Sequence, residues 1–416
     1  MCGASDGSGG ERCDARSAVS SQSLKALALA DDTTGALEVG AGFVQAGVDA
    51  LVAIQPEPDL TAGGTTALVI DTRSRRLAPP QAYERALRLG QAARRLGVKH
   101  LFKKTDSTLR GNVGAEFRGL LESWPEAVLF YVPAYPRMGR TVVNGTLYVN
   151  GSRLGETPFA DDPLNPSRES YIPAVLAEDC AASITVAGGD RIASLLGALP
   201  AGSILVCDGA SDEDLERAAA AAAQADRTLI VAGTGGFSSW WIRPLGVAGA
   251  ASMRVPSAER CLVVNGSLHP RSAEQVRHAQ EEAIPVRRLV ADRCEDDSAA
   301  RVLESWLVRR RWCVLAAPET RVGPPDAVGA RLAGIVRRVL ESGVADGLVV
   351  FGGDTVLNIL DGSGVQDLQP LGELLDGVPV SRFAFRGRPL VLVTKAGGFG
   401  PPDVILEIQK RLGEVE

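Results

Sequence analysis

The chain has 416 residues, 44 Lys and Arg against 50 Asp and Glu, a net charge of −6, and 45% hydrophobic but only 5% aromatic residues. That length exceeds what one hydrophobic core usually supports, so two domains are expected. The acidic balance without a basic cluster excludes a nucleic-acid partner, and no apolar run reaches a membrane span or a signal peptide, which predicts no membrane partner and a cytoplasmic location.

Residues 1–22 are rich in Gly and Ser and too polar to bury a core, so they read as a disordered tail. From Leu24 onward, short apolar runs of strand type alternate with Ala- and Leu-rich stretches of helical period: LKALALA, ALEVGAGFVQAG, DALVAI, TALVID, YERALRLGQAARRLG and HLFKK. Such alternation predicts a largely parallel, doubly wound α/β sheet. Residues 135–170 break the rhythm with Gly, Pro and Asn and read as one long, functional loop. The rhythm resumes at SITVAGG, SILVCDG and TLIVAG. A second set runs through CLVVNGS, RWCVLAAP, GLVVFGGD and LVLVTKAGGFG. The stretch from Val247 to Ala258 separates the two sets, so the expected domains are 23–250 and 259–416, each doubly wound, with the active site in the cleft between them.

Seven cysteines stand singly, without CxxC spacing, and read as reduced thiols; three histidines are too few for a His-rich metal centre or a Ser-His-Asp triad. Chemistry is therefore sought where doubly wound sheets bind ligands, at the carboxyl ends of strands. The first run leads into Asp31 and Asp32, one carboxylate more than a helix cap requires. The run LVID leads into Thr72-Arg73-Ser74-Arg75-Arg76. There Arg73, nearest the strand, suits a bidentate carboxylate contact, while Arg75 and Arg76 fit solvated surface positions. The densest constellation, LFKKTDSTLRGNVGAE, sets Lys103, Lys104, Asp106, Ser107, Thr108, Arg110, Asn112 and Glu116 between a strand and a helix and reads as an anion-and-polyol site. In the second half, glycine turns at Asn265–Ser267, Gly352–Thr355 and Lys395–Gly400 follow strands, where backbone amides can approach phosphate. Three of them in one domain point to a nucleotide. The fingerprints GxxxxGK-S/T, GxGxxG and GxSxG are all absent.

Taken in order, these elements resemble the four-carbon acid sugar kinases, with a sugar-binding N-terminal and a nucleotide-binding C-terminal domain. The resemblance is carried by ADDTTGALEVGA, DTRSR, KKTDSTLRGNVGAE and the proline-rich PAYPRMGRTVVNGTLYVNGSRLGETPFADDPLNP, and in the second half by NGSLHPRSAEQ, GGDTVL and KAGGFGPPD. It implies ATP and Mg²⁺ as cofactors and transfer of phosphate to the terminal hydroxyl of D-threonate, D-erythronate or 3-oxo-tetronate. It implies that Asp31, Arg73, Lys104, Thr105, Asp106 and Ser107 bind the acid, and that Asp32 or Asp106 handles the hydroxyl proton, with Asp31 a further candidate. The implied nucleotide residues are Ser267, Gly352, Gly353, Asp354, Thr355, Gly397 and Gly398, and Gly266, Ser272 and Gln275 also fit the family's ATP element; the metal ligands are left open. The second half departs from the family pattern at His269, where a serine is usual, at Asp354 for Glu, and at Val356-Leu357 for Ser-Gly. The alternatives are an acid-sugar sensor without catalysis and, on the α/β pattern alone, a nicotinamide-dependent oxidoreductase. Apolar helix faces leave the oligomeric state open, a homodimer included.

Overall fold

The computed structural model describes residues 24–60, 65–162, 165–247, 256–290, 296–320 and 325–413. The expected tail and most of the expected domain boundary lie outside these residues.

In chain order the N-terminal half runs β1 (Ala26–Ala30), α1 (Thr33–Gln45), β2 (Ala50–Ala53), β3 (Ala67–Asp71), α2 (Pro79–Arg95), β4 (His100–Lys104), α3 (Val113–Ser123), β5 (Val128–Val132), β6 (Arg140–Val143), β7 (Thr146–Val149), β8 (Ser152–Arg153), α4 (Ile172–Ala177), β9 (Ile184–Ala187), α5 (Arg191–Ala198), β10 (Ile204–Cys207), α6 (Asp212–Gln224), β11 (Leu229–Gly233) and α7 (Gly235–Ile242). The C-terminal half continues with β12 (Cys261–Asn265), α8 (Pro270–Glu281), β13 (Val286–Arg288), α9 (Asp296–Arg310), β14 (Trp312–Ala316), α10 (Pro325–Glu341), β15 (Gly347–Phe351), α11 (Gly353–Gly362), β16 (Asp367–Leu375), β17 (Val378–Phe385), β18 (Arg388–Lys395) and α12 (Val404–Gly413).

The first half forms the parallel order β2-β3-β1-β4-β11-β5-β10-β9, and the second the order β13-β14-β12-β15-β18, followed by antiparallel β17 and β16. Strands β1, β3 and β5 are uniformly buried, as largely apolar runs covered by helices on both faces must be, and β4 is nearly so although it ends in two lysines. The two halves share a local topology. In each, the second, third, first and fourth strands lie side by side, so the chain reverses direction beside β1 in one half and β12 in the other. At such a reversal the flanking loops part and leave a crevice at the strand ends.

The halves join edge to edge. Asp367 and Leu368 of β16 pair with Ala53 and Val52 of β2, and the Ile54 amide donates to the Gln366 carbonyl (2.8 Å), which makes one sheet of 15 strands. Helix α1 packs over this seam. It is apolar nearly all round because it is covered by sheet, by α7 and by β16 and β17. A side chain at Gly40 would stand 2.7 Å from Val52 and 3.2 Å from Pro370, so only glycine lets the helix lie this close.

Residues 135–170, read as a loop, instead carry the antiparallel meander β6-β7-β8. Its turns are Asn144-Gly145 (φ 50° and 72°) and Asn150-Gly151 (φ 50° and 85°), the left-handed pairs that tight hairpins favour. The unforeseen hairpins of the second half close at Arg386-Gly387, a left-handed pair of the same kind (φ 49° and 78°), and at Asp376-Gly377, where the glycine alone is left-handed (φ 68°). Cys180, Cys207, Cys261 and Cys313 are buried free thiols, in keeping with the reduced state expected of them. Among the described residues, no helix is long and apolar enough to cross a membrane.

Candidate active site

Register brings the sequence motifs of the first half to one edge. Ala30 of β1 lies opposite Asp71 of β3 and Lys104 of β4, and Lys104 lies opposite Gly233 of β11, so the segments that follow these strands emerge together. Asp32 caps α1, its Oδ1 accepting from the Gly35 amide (3.0 Å). Side chains alternate along β4. Lys104 therefore faces α1, 3.7 Å from Asp32 Oδ1 and 4.0 Å from Glu38, while Lys103 points to the opposite face and pairs with Glu116 at 2.9 Å.

The centre of this cluster is Arg75, a residue that the linear sequence leaves among surface arginines. Its guanidinium donates to both Asp31 oxygens (2.7 and 3.1 Å) and to Asp32 Oδ2 (2.7 Å), and lies 3.3 Å from Asp106 Oδ1. With its side chain only 14% exposed, it is a buried ion rather than a solvated one. No spacing rule announces this, because two positions separate Arg75 from Arg73 and both are arginine; only the path of the chain after β3 tells them apart. Asp106 also accepts two bonds from Arg110 (2.9 and 2.8 Å) and two from Thr108, through its amide and its hydroxyl (3.0 and 2.5 Å). Burial would raise both carboxyls. The guanidiniums win: Arg75, with the lysines of β4, holds Asp31 below the usual carboxylate range, and Arg110 with Arg75 holds Asp106 well below it. Burial prevails at Glu38, which is pushed up to about 7 although Lys104 opposes it.

The other expected acid-site residues divide. Thr105 is spent on the fold, its amide on the Gly233 carbonyl (2.8 Å) and its hydroxyl beside Tyr131 (3.1 Å). Ser107, half-buried, has no protein partner. Arg73 reaches the opposite half, donating twice to Asp361 of α11 (2.9 and 2.7 Å) and to the Ile54 carbonyl (2.9 Å). Arg76 pairs across the same gap with Asp354 (2.5 Å).

In the second half Asn265, Phe351 and Lys395 are level in the sheet, so the turns after β12, β15 and β18 adjoin. They interlock: a side chain on Gly266 would collide with Thr355, and one on Gly397 with Ser267. Gly352, at φ 100°, starts α11 in a conformation that suits glycine. The departures from the family pattern have local causes. His269 serves as the cap of α8, its Nδ1 accepting from the Arg271 amide (3.1 Å), which is the task a serine performs. Val356 is buried and Leu357 packs on the core, so this pair serves packing.

The two clusters face each other. A Cβ on Gly353 would lie 2.6 Å from Thr34 Oγ1 and 3.7 Å from Asp32 Oδ2, so the glycine turn that opens α11 meets the acidic end of β1 across the cleft. Among the described residues, no three His, Cys, Asp or Glu side chains converge as a ready-made metal site.

This is a two-part α/β fold in which a charged, polyol-type cluster opposes a set of glycine turns. Residues 26–240 match the model of the sugar-binding N-terminal domain and residues 262–405 that of the nucleotide-binding C-terminal domain. The chain belongs to the four-carbon acid sugar kinase family. It is 31% identical to a D-threonate kinase of Bordetella bronchiseptica, over 93% of this chain and 97% of the relative, and 30% identical to a 3-oxo-tetronate kinase of Methylobacterium radiotolerans, over 92% and 97%. A crystal structure from Salmonella typhimurium LT2, at 22% identity, shares the fold with a TM-score of 0.79 over 93% of this chain and 99% of its own.

Proposed function

We propose that this protein is an ATP-dependent kinase that phosphorylates the terminal hydroxyl of a four-carbon acid sugar, with residues 23–250 holding the acid and 259–416 the nucleotide. The observation that carries this reading is the approach of Gly353 to Asp32 and Thr34, which sets a phosphate-type turn against the acid cluster. The names of the two relatives, D-threonate kinase and 3-oxo-tetronate kinase, support acceptors of that size.

Arg73 and Lys104 hold the substrate carboxylate, which displaces Asp361 from Arg73, and Ser107 and Asp31 bind its hydroxyls. Of the carboxylates considered for the proton, Asp31 and Asp106 each accept two bonds from one guanidinium, that of Arg75 and that of Arg110, whereas Asp32 accepts one, from Arg75. Asp32, 23% exposed and nearest the glycine turn, is the one that orients the terminal hydroxyl and accepts its proton. ATP, when bound, supplies the phosphoryl group, and Mg²⁺ neutralises part of its charge. The residues fit both: the open amides at the start of α11 suit phosphate, and the exposed Asp354 in the same turn suits an ion that takes one or two carboxylates and relies on phosphate oxygens for the rest.

The test is ADP release from ATP and Mg²⁺ with D- and L-threonate, D- and L-erythronate and their 2- and 3-oxo forms. Turnover of one member is expected. Silence across the whole panel would overturn the reading.

A further inference from the structure

The turn after β18 has its carbonyls tied inward by three side chains. Lys395 Nζ donates to the carbonyls of Ala396 (2.8 Å), Gly397 (3.2 Å) and Phe399 (2.8 Å). Ser272 Oγ also donates to Gly397 O (2.5 Å), and Gln275 Nε2 to the carbonyls of Phe399, Gly400 and Pro401 (2.9, 3.1 and 2.9 Å). In a trans peptide the C=O of one residue and the N–H of the next point in opposite directions, and the chain has no cis bond. Drawing in the carbonyls of 396, 397 and 399 therefore turns the amides of Gly397, Gly398 and Gly400 outward, and none of those three amides has a partner among the described residues.

The side chain that does most of this is itself out of place energetically. Lys395 is 1% exposed, its ammonium lies 4.3 Å from the centre of the Phe351 ring, and among the described residues no carboxylate is within ion-pair distance. Its charged neighbours are Arg271, whose own partner is Glu274, and His269, so the surroundings add no negative charge. Burial, with Arg271, lowers this ammonium to about 7. A buried ammonium beneath three outward amides has the composition that suits an anion.

We propose that Lys395 is a positioning residue for the nucleotide phosphates: with Ser272 and Gln275 it presets the turn 396–401 with its amides outward, and it is the buried charge those phosphates neutralise. This rests on the nucleotide role of the second half. An apolar chain of similar length at this position removes the cost of burying the ammonium, and each carbonyl it held keeps another donor, Ala396 O the Phe399 amide (3.1 Å), Gly397 O the Ser272 hydroxyl and Phe399 O the Gln275 amide, so the fold survives the exchange.

Wild type, Lys395→Met and Gln275→Leu are compared by calorimetric titration with MgADP, by steady-state kinetics and by thermal unfolding. Lys395→Met is expected to keep or raise the melting temperature, to leave KM for the acid sugar unchanged, and to weaken ADP binding and raise KM for ATP by about tenfold to a hundredfold. Gln275→Leu shifts the same two nucleotide constants in the same direction and decides the matter if Lys395→Met fails to fold. Variants that bind ADP within twofold of an active wild type overturn the positioning role alone. Equal losses in acid-sugar and nucleotide binding also overturn it, by making the role structural. A wild type that binds no nucleotide removes the nucleotide reading first.

Discussion

Asp31, Asp32 and Asp106 are chemically one residue type, and their surroundings give them different tasks. Asp32→Asn keeps an equally good cap for α1 and removes the one of the three carboxyls that lies against the glycine turn of α11. The expected result is a fall in kcat by about 10²- to 10⁴-fold with KM for the acid sugar little changed, read from steady-state kinetics. Asp106→Asn instead leaves Arg110 and Arg75 buried without their full counter-charge. It should cost about 3 kcal/mol of stability in urea unfolding. Asp71 provides a check by pH. Burial raises its carboxyl to about 7, against the opposing bonds from Thr33 Oγ1 (2.5 Å) and the Arg73 amide (3.0 Å). The folded chain thus keeps a proton that the unfolded chain releases near pH 4, so this group makes stability fall as pH rises from about 4 to about 7. Asp71→Asn should flatten that decline when unfolding is measured across the same range.

Among the elements, α1 and the meander carry the most structural information. Helix α1 begins at the acid cluster and crosses the seam between the halves, so its capping residue and its packing glycines belong to the same device. The meander hangs on the Asn144-Gly145 turn, whose two amides donate to Asp208 (2.9 and 2.8 Å), and its continuation sets Phe159 under the guanidiniums of Arg110 and Arg140, 5.9 and 6.0 Å from the ring centre. Gly145→Ala combines a φ of 72° with contacts of 3.0 Å to Val186 and 3.1 Å to Tyr171. A destabilisation of about 1–2 kcal/mol is expected by thermal unfolding. The hairpin signals here and at Asp376-Gly377 were present in the sequence, two residues of the favoured type between β-branched and apolar runs. They were hidden by the Pro and Gly around them, which also mark irregular loops.

At the scale of the molecule, the cleft is spanned by Arg73–Asp361 and Arg76–Asp354, joining the segment after β3 to both ends of α11. Exposed pairs of this kind stabilise little, which suits contacts that must exchange for a ligand. Asp361→Asn frees Arg73 for the substrate carboxylate, so KM for the acid sugar should fall, whereas Arg73→Ala should raise it. Equal KM values in wild type and both variants would remove Arg73 from the acid site.

Much of this protein follows from its sequence: the alternation of apolar runs and helical stretches specifies two doubly wound halves, and the polar residues that end those runs are the ones that assemble. That is so because backbone period and strand polarity are local properties, and a parallel sheet sends every strand's carboxyl end to the same edge. The tertiary structure alone decided which charges are buried and with whom. Arg75 rather than Arg73 enters the acid cluster, Lys103 turns away from Lys104, and Lys395 lies beneath its own loop. Each outcome depends on the desolvation and pairing of side chains brought together from distant parts of the chain, and the order of residues along it does not encode those distances.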